Sequence, residues 1–138
     1  MYSKPNLGLD EARKAVDAIL DAAMKEPARP IAVAAFDDDG KLVVFARMDG
    51  ARPLPQMLAQ KKAYTAAVMR TDTAAFAERM SQQGRSVSDL GDPNLTAVQG
   101  GLPVQASDGT PLGGIGVSGL RADEDEALSR VGIQAMGL

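Results

Sequence analysis

GGLPVQASDGTPLGGIGVSG, Gly100 to Gly119, sets two apolar runs, LPVQA from Leu102 and PLGGIGVSG from Pro111, on either side of Ser107-Asp108-Gly109-Thr110. An Asp-Gly turn between runs of this length predicts an antiparallel hairpin. A phosphate-binding loop needs its glycines between a parallel strand and the helix that strand feeds. Here the glycines at 113, 114, 116 and 119 fall inside an apolar strand. In that position they mark bulges or a close approach of backbone, from a ligand or from a neighbouring subunit.

Working outward, LTAV at Leu95 reads as a further strand, and IAVAAF from Ile31 with KLVVFARM from Lys41 form a second hairpin around Asp37-Asp38-Asp39-Gly40. The acidic run before Gly40 resembles the opening of a calcium loop, yet no carboxylate stands at the twelfth loop position, so a hairpin turn is the better reading. Helical periodicity covers Leu9 to Met24, with Asp10 as N-cap and Pro27 beyond its end, then about Gln56 to Arg70, AAFAERM behind the caps Thr71 to Thr73, and Asp123 to Met136. Ser81 to Pro93 is polar and reads as a loop.

The resulting order is α-β-β-α-α-β-β-β-α. Two hairpins without regular strand-helix alternation predict an α/β domain of the α+β type, a five-stranded antiparallel sheet with flanking helices. A chain of 138 residues is the size of one domain, here 1–138, with one core. In the second helix Ala59, Ala63, Ala66 and Ala67 form a small-residue stripe flanked by Met57, Leu58, Val68 and Met69. A helix apolar around most of its circumference is buried from more than one side, which predicts a homo-oligomer.

The formal charge of -3 supplies no basic stripe, so neither nucleic acid nor an anionic membrane surface is an expected partner. No apolar run reaches the ~18 residues of a spanning helix, and MYSKPNLGLDEARK lacks the apolar stretch of a secretory signal. A cytoplasmic location is the default. The chain contains no cysteine and no histidine. That excludes disulfides, thiolate nucleophiles and Cys-based metal sites, and removes the commonest general base and the commonest transition-metal ligand. No metal is expected, and any chemistry falls to Lys, Arg, Asp, Glu, Tyr, Ser, Thr or backbone.

Lys62 projects from an apolar shoulder of the second helix, between Ala66 on one side and Leu58 and Met69 on the other. Such a lysine either snorkels or pairs with an acid across an interface, or it is desolvated and serves as a proton donor, base or Schiff-base amine. Arg47, Asp49 and Arg52 punctuate ARMDGAR at a strand end, where two guanidiniums can clamp a carboxylate and Asp49 can orient one or act as base. The alternative there is an Arg-Asp pair that fixes the turn. Tyr64 and Thr65 add hydroxyls beside Lys62, as pocket lining or as helical filler.

FARMDGA at Phe45 to Ala51, KAYTAA at Lys62 to Ala67, GGLPV at Gly100 to Val104, DGTPLGGIGVSG at Asp108 to Gly119 and the acidic start of the last helix occur in this order across nearly the whole chain. In these segments the chain resembles the GlcG/HbpS family, the haem-degrading domain family also found as the C-terminal part of PduO-type proteins. The resemblance implies a profilin-like or PAS-like antiparallel sheet, homo-oligomers from dimers up to octamers, and haem or corrinoid binding in some members. It does not name a reaction. Haem would lack its commonest ligand type here, so no cofactor is expected from the residues, and haem stands only as an implication of the family.

The leading expectation is a small-molecule site for a carboxylate or carbonyl compound, with Lys62, Asp49 and Tyr64 available for proton-transfer chemistry of the tautomerase or lyase kind. Arg47, Arg52, Thr65, Gly100, Gly101 and Pro103 are the expected substrate-binding positions. A non-catalytic haem or tetrapyrrole binder and an oligomeric scaffold are the alternatives.

Overall fold

The computed structural model describes residues 1–138. Its elements are α1 (Leu9–Ala23), β1 (Ala32–Asp37), β2 (Leu42–Arg47), α2 (Pro53–Met69), α3 (Thr73–Gln82), a 3-10 turn at Val87–Leu90, β3 (Gly101–Gln105), β4 (Pro111–Ser118) and α4 (Ala122–Met136). All strand pairs are antiparallel, in the order β2-β1-β4-β3. Both predicted hairpins are present.

The sheet has four strands, where five were expected. The difference is Leu95 to Val98, which forms no ladder. Three of its amides are held otherwise: Leu95 N–H donates to the Asp92 carbonyl at 3.2 Å, Thr96 N–H to Thr65 Oγ1 at 2.9 Å, and Val98 N–H to Thr96 Oγ1 at 3.3 Å. Backbone groups so engaged are withdrawn from sheet pairing. The N-cap of α1 and the start of α2 also differ. Helix α1 is capped at Gly8, so Asp10 lies in its first turn, where its charge suits the helix dipole. Helix α2 begins at Pro53 because the first turn of a helix needs no amide donors and accepts proline.

Helix α2 covers one face of the sheet, and α1 and α4 lie together on the other. Strand β1 is therefore buried on both sides, and Ala32, Val33, Ala34 and Ala35 are all buried without alternation. Val33, Ala35, Ile115 and Val117 meet Ala12, Ala15, Val16 and Ile19 of α1 in the main core. On the α2 face strand β4 presents no side chain at Gly114 and Gly116, beside Ala34 and Phe36 of β1. A Cβ on Gly116 would stand 2.4 Å from the Ala59 carbonyl oxygen and 2.5 Å from the Ala63 nitrogen, and one on Gly114 would stand 2.4 Å from the Ala63 oxygen. The strand glycines thus admit the alanine stripe of α2 from the same chain. The expectation of a ligand or neighbouring subunit at these two glycines is corrected accordingly.

Gly114, Gly116 and Gly119 have the spacing of a dinucleotide-binding loop. The first two, however, lie within β4, between β1 and β3 and beneath α2, so no phosphate reaches them.

At the far end of the β1–β2 hairpin, Asp37 Oδ1 accepts from Asp39 N–H and Lys41 N–H. Asp38 accepts from Lys4 at 2.8 Å and Arg70 at 3.1 Å. Burial of the Asp38 carboxyl would push its pKa up, but these two cations outweigh it and hold it below the usual carboxylate range. No group of carboxylates there or elsewhere is arranged to hold a metal ion. No helix is long and apolar enough to cross a membrane.

Candidate functional site

The largest cleft, of roughly 730 Å³, lies where the loop after α1, the loop after β2 and the β4–α4 junction meet. Its lining includes Arg29, Pro30, Asp49, Arg52, Gly119 and Arg121. Through Arg52, Pro55, Gly119 and Leu120 it continues into a second hollow of roughly 540 Å³ that adds Leu54 and Leu58. A polar end and an apolar shelf in one groove is the usual make-up of a small-molecule site.

The polar end is shaped by its backbone. Met48 N–H donates to the Ile31 carbonyl at 2.9 Å, Ala51 N–H to the Met48 carbonyl at 3.1 Å, and Gln56 Nε2 to the Ala51 carbonyl at 3.0 Å. Gly50 takes a φ of 86° that other residues avoid. Across the cleft a Cβ on Gly119, itself at φ 138°, would stand 2.6 Å from the Pro30 oxygen, so only glycine lets these two segments close.

Arg29 is committed to Glu124 through bonds of 2.9 and 2.8 Å, and to Glu26 at 3.5 Å. Arg121 pairs with Asp123 at 3.1 Å. Arg52 and Asp49 have no ion-pair partner within the chain. They are the free charges of the cleft.

Lys62 stands elsewhere. Its side chain is 1% exposed, and its ammonium donates to Asp125 Oδ2 and to the Val117 carbonyl, both at 3.0 Å. The lysine is paired with an acid, as one alternative expected, but that acid belongs to the same chain and not to a partner across an interface. Burial lowers the lysine's pKa and raises that of Asp125, and the attraction between the two opposes both shifts. Asp125 Oδ1 also accepts from Leu120 N–H at 3.0 Å. The pair therefore lies directly behind the Gly119–Leu120 wall of the cleft without opening into it.

The other expected site residues are dispersed. Arg47 donates to Gln56 Oε1 at 3.0 Å and forms no pair with Asp49. Tyr64 donates its phenol proton to Asp92 at 2.5 Å and borders a separate cavity of roughly 170 Å³ with Lys61 and Asn94. The hydrogen bond to Asp92, reinforced by burial, pushes the Tyr64 phenol up. Thr65 is buried, accepting from Thr96 N–H. The Gly100 carbonyl accepts from Ser129 Oγ at 2.6 Å, and the Gly101 amide donates to Thr73 Oγ1 at 3.0 Å, so the latter is not a free donor. Pro103 pairs with Gly114 on the α2 face of edge strand β3. Asp49 and Arg52 are the members of the expected set that share a cleft, and Lys62 is not among its lining residues.

Sequence reasoning missed Asp125, Arg29, Arg121 and the Gly119–Leu120 wall. Asp125 was hidden in the acidic run Asp123 to Glu126, read as a whole against the helix dipole. The signal that singles it out is its place on the stripe Asp125, Ser129, Gly132 and Met136, the buried residues of α4.

Haem is the cofactor that the sequence resemblance implies. Neither the cleft nor its apolar extension is lined by Met, Tyr or Lys, and the chain has no His or Cys. The cavity that Tyr64 borders falls below the ~300 Å³ at which organic ligand pockets begin. Within one chain, the residues present do not fit a ligated haem iron.

The model of the family "Haem degrading protein HbpS-like" matches residues 7–134. Protein GlcG of Escherichia coli K12 is 34% identical over 110 residues, 78% of this chain and 80% of the relative. Among solved structures, a double mutant of HbpS from Streptomyces reticuli superposes with a TM-score of 0.89 at 34% identity, covering 100% of this chain and 92% of that one. A PduOC:heme complex superposes with a TM-score of 0.81 at 26% identity, covering 94% of each. A common fold along its whole length, together with this family match and these identities, shows that the chain belongs to the HbpS-like haem-degrading protein family, which includes GlcG.

Proposed function

We propose that the protein binds a small organic carboxylate in the cleft between the β2–α2 loop and the β4–α4 junction, with Arg52 as its anion partner. The observation that carries this reading is Arg52 itself. It is a guanidinium without an internal partner, at the N-terminal end of α2, where the helix dipole adds to its charge, and it borders the apolar shelf of Leu54, Leu58 and Leu120. Of the three side chains expected to transfer protons, only Asp49 faces this cleft, so the proposal is of a binding site.

Isothermal titration with short aryl and alkyl carboxylates, set against the matching primary amides, tests it. The carboxylates are expected to bind and the amides to bind weakly. Arg52→Ala should reduce carboxylate affinity by roughly 10- to 100-fold, the worth of a hydrogen bond to a charged group. Its melting temperature should be unchanged, because the side chain holds nothing else in place. Equal binding by Arg52→Ala, or no carboxylate bound by the wild type, overturns the reading.

Self-association belongs to the same proposal. Leu54 and Met57 of α2 are 58% and 45% exposed, so the shelf of the cleft continues onto an apolar surface that the chain itself leaves uncovered. Sedimentation equilibrium is expected to give a multiple of the 14.4 kDa chain mass. A single species of chain mass at micromolar concentration refutes assembly.

A further inference from the structure

Resting on that reading of Arg52, we propose that Asp49 is the specificity-determining residue of the cleft, and that the ligand is an amino-carboxylate with its carboxylate on Arg52 and its ammonium on Asp49. The cleft is not a general sink for anions. Arg29 and Arg121 face three carboxylates, Glu26, Asp123 and Glu124, through the pairs already described and a further contact of 3.6 Å from Arg121 to Glu124. The two guanidiniums are thus more than neutralised.

The remaining charges are one cation and one anion, Arg52 and Asp49, three positions apart on a single loop. That loop is tied at both ends by the bonds of Met48 to Ile31 and of Gln56 to Ala51, with Gly50 at the bend between. The two charges are therefore presented on a fixed backbone. A simple carboxylate would satisfy Arg52 while setting a second anion near Asp49. A zwitterion answers both charges, and its side chain can then lie along Leu54, Leu58 and Leu120.

Three probes share one skeleton and differ at a single carbon: L-phenylalanine carries an ammonium, L-phenyllactate a hydroxyl and 3-phenylpropionate neither. Titrated into the full chain at pH 7, phenylalanine is expected to bind about 10-fold more tightly than phenylpropionate. Asp49→Asn should erase that preference while leaving phenylpropionate affinity equal or improved, a combination that damage to the fold does not produce. Equal binding of the two probes by the wild type, or a preference that survives Asp49→Asn, overturns the assignment. Tighter binding of phenyllactate than of phenylalanine overturns it in favour of a neutral donor. Failure of all three to bind the wild type removes the Arg52 reading itself. Loss confined to Asp49→Asn leaves that reading standing.

Discussion

Asp125→Ala is expected to lose about 3–5 kcal/mol of folding stability, because it leaves the Lys62 ammonium enclosed without its counter-charge. With Lys62 1% and Asp125 3% exposed at the side chain, water cannot replace the missing partner. A stability of ~5–15 kcal/mol is typical of such domains, so much of it disappears. Urea denaturation across pH reads the effect and its sign. In Asp125→Ala the buried lysine keeps a folded pKa below its unfolded value, so the variant regains stability as pH rises and loses it as pH falls through that folded pKa. Lys62→Met behaves in the opposite sense. There Asp125 has lost its attracting cation, and burial raises its folded pKa above the unfolded value, so the variant is most stable at acid pH and weakens as pH rises through that folded pKa. The double variant Lys62→Met with Asp125→Leu should stand well above either single one, since an apolar pair removes both buried charges. Additive losses in the double variant would show that the two groups do not act as a pair.

Gly116→Ala is the second large loss, at about 3 kcal/mol. The added methyl would meet backbone at 2.4 Å and 2.5 Å, on Ala59 and Ala63, and backbone cannot turn aside as a side chain does. Helix α2 must lift from the sheet or β4 must bow. Gly109→Ala is the comparison that isolates this cause. Gly109 sits at φ 87° in the β3–β4 turn, where an added methyl would meet nothing within 4 Å, so only the backbone penalty of about 1–2 kcal/mol applies. Thermal unfolding should therefore rank wild type above Gly109→Ala and that above Gly116→Ala. The reverse order would mean that packing of α2 onto glycine is not what sets the approach.

Much of the fold was legible because its signals are local. Asp108-Gly109 and Asp39-Gly40 close tight turns between apolar runs, and the 3.6-residue spacing of Ala12, Ala15, Val16 and Ile19 marks the buried face of α1. Leu95 to Val98 misled because an apolar run of four residues carries no record of its hydrogen-bond partners. Thr65, thirty-one positions earlier than Thr96, takes the amide that a strand would have used.

The candidate site was legible only in part. ARMDGAR put Asp49 and Arg52 on one short loop, and adjacency in sequence kept them together in space. Lys62, Tyr64 and Thr65 are equally close in sequence, but a helix turns successive side chains to different faces. One meets Asp125, one meets Asp92, and one meets the Thr96 amide.

By itself the amino-acid sequence determined that this chain has no histidine or thiol chemistry, that Gly100 to Gly119 is a hairpin, and that helices and antiparallel strands share one core. Those follow from composition and from contacts between near neighbours. The tertiary structure alone decided what the strand glycines are for and where the lysine's charge goes. Gly114 and Gly116 serve the alanines of α2, and Lys62 passes beside Gly100 to a carboxylate sixty-three positions away. Both depend on which surfaces meet when the helices close on the sheet, and only the closed chain brings those residues within bonding distance.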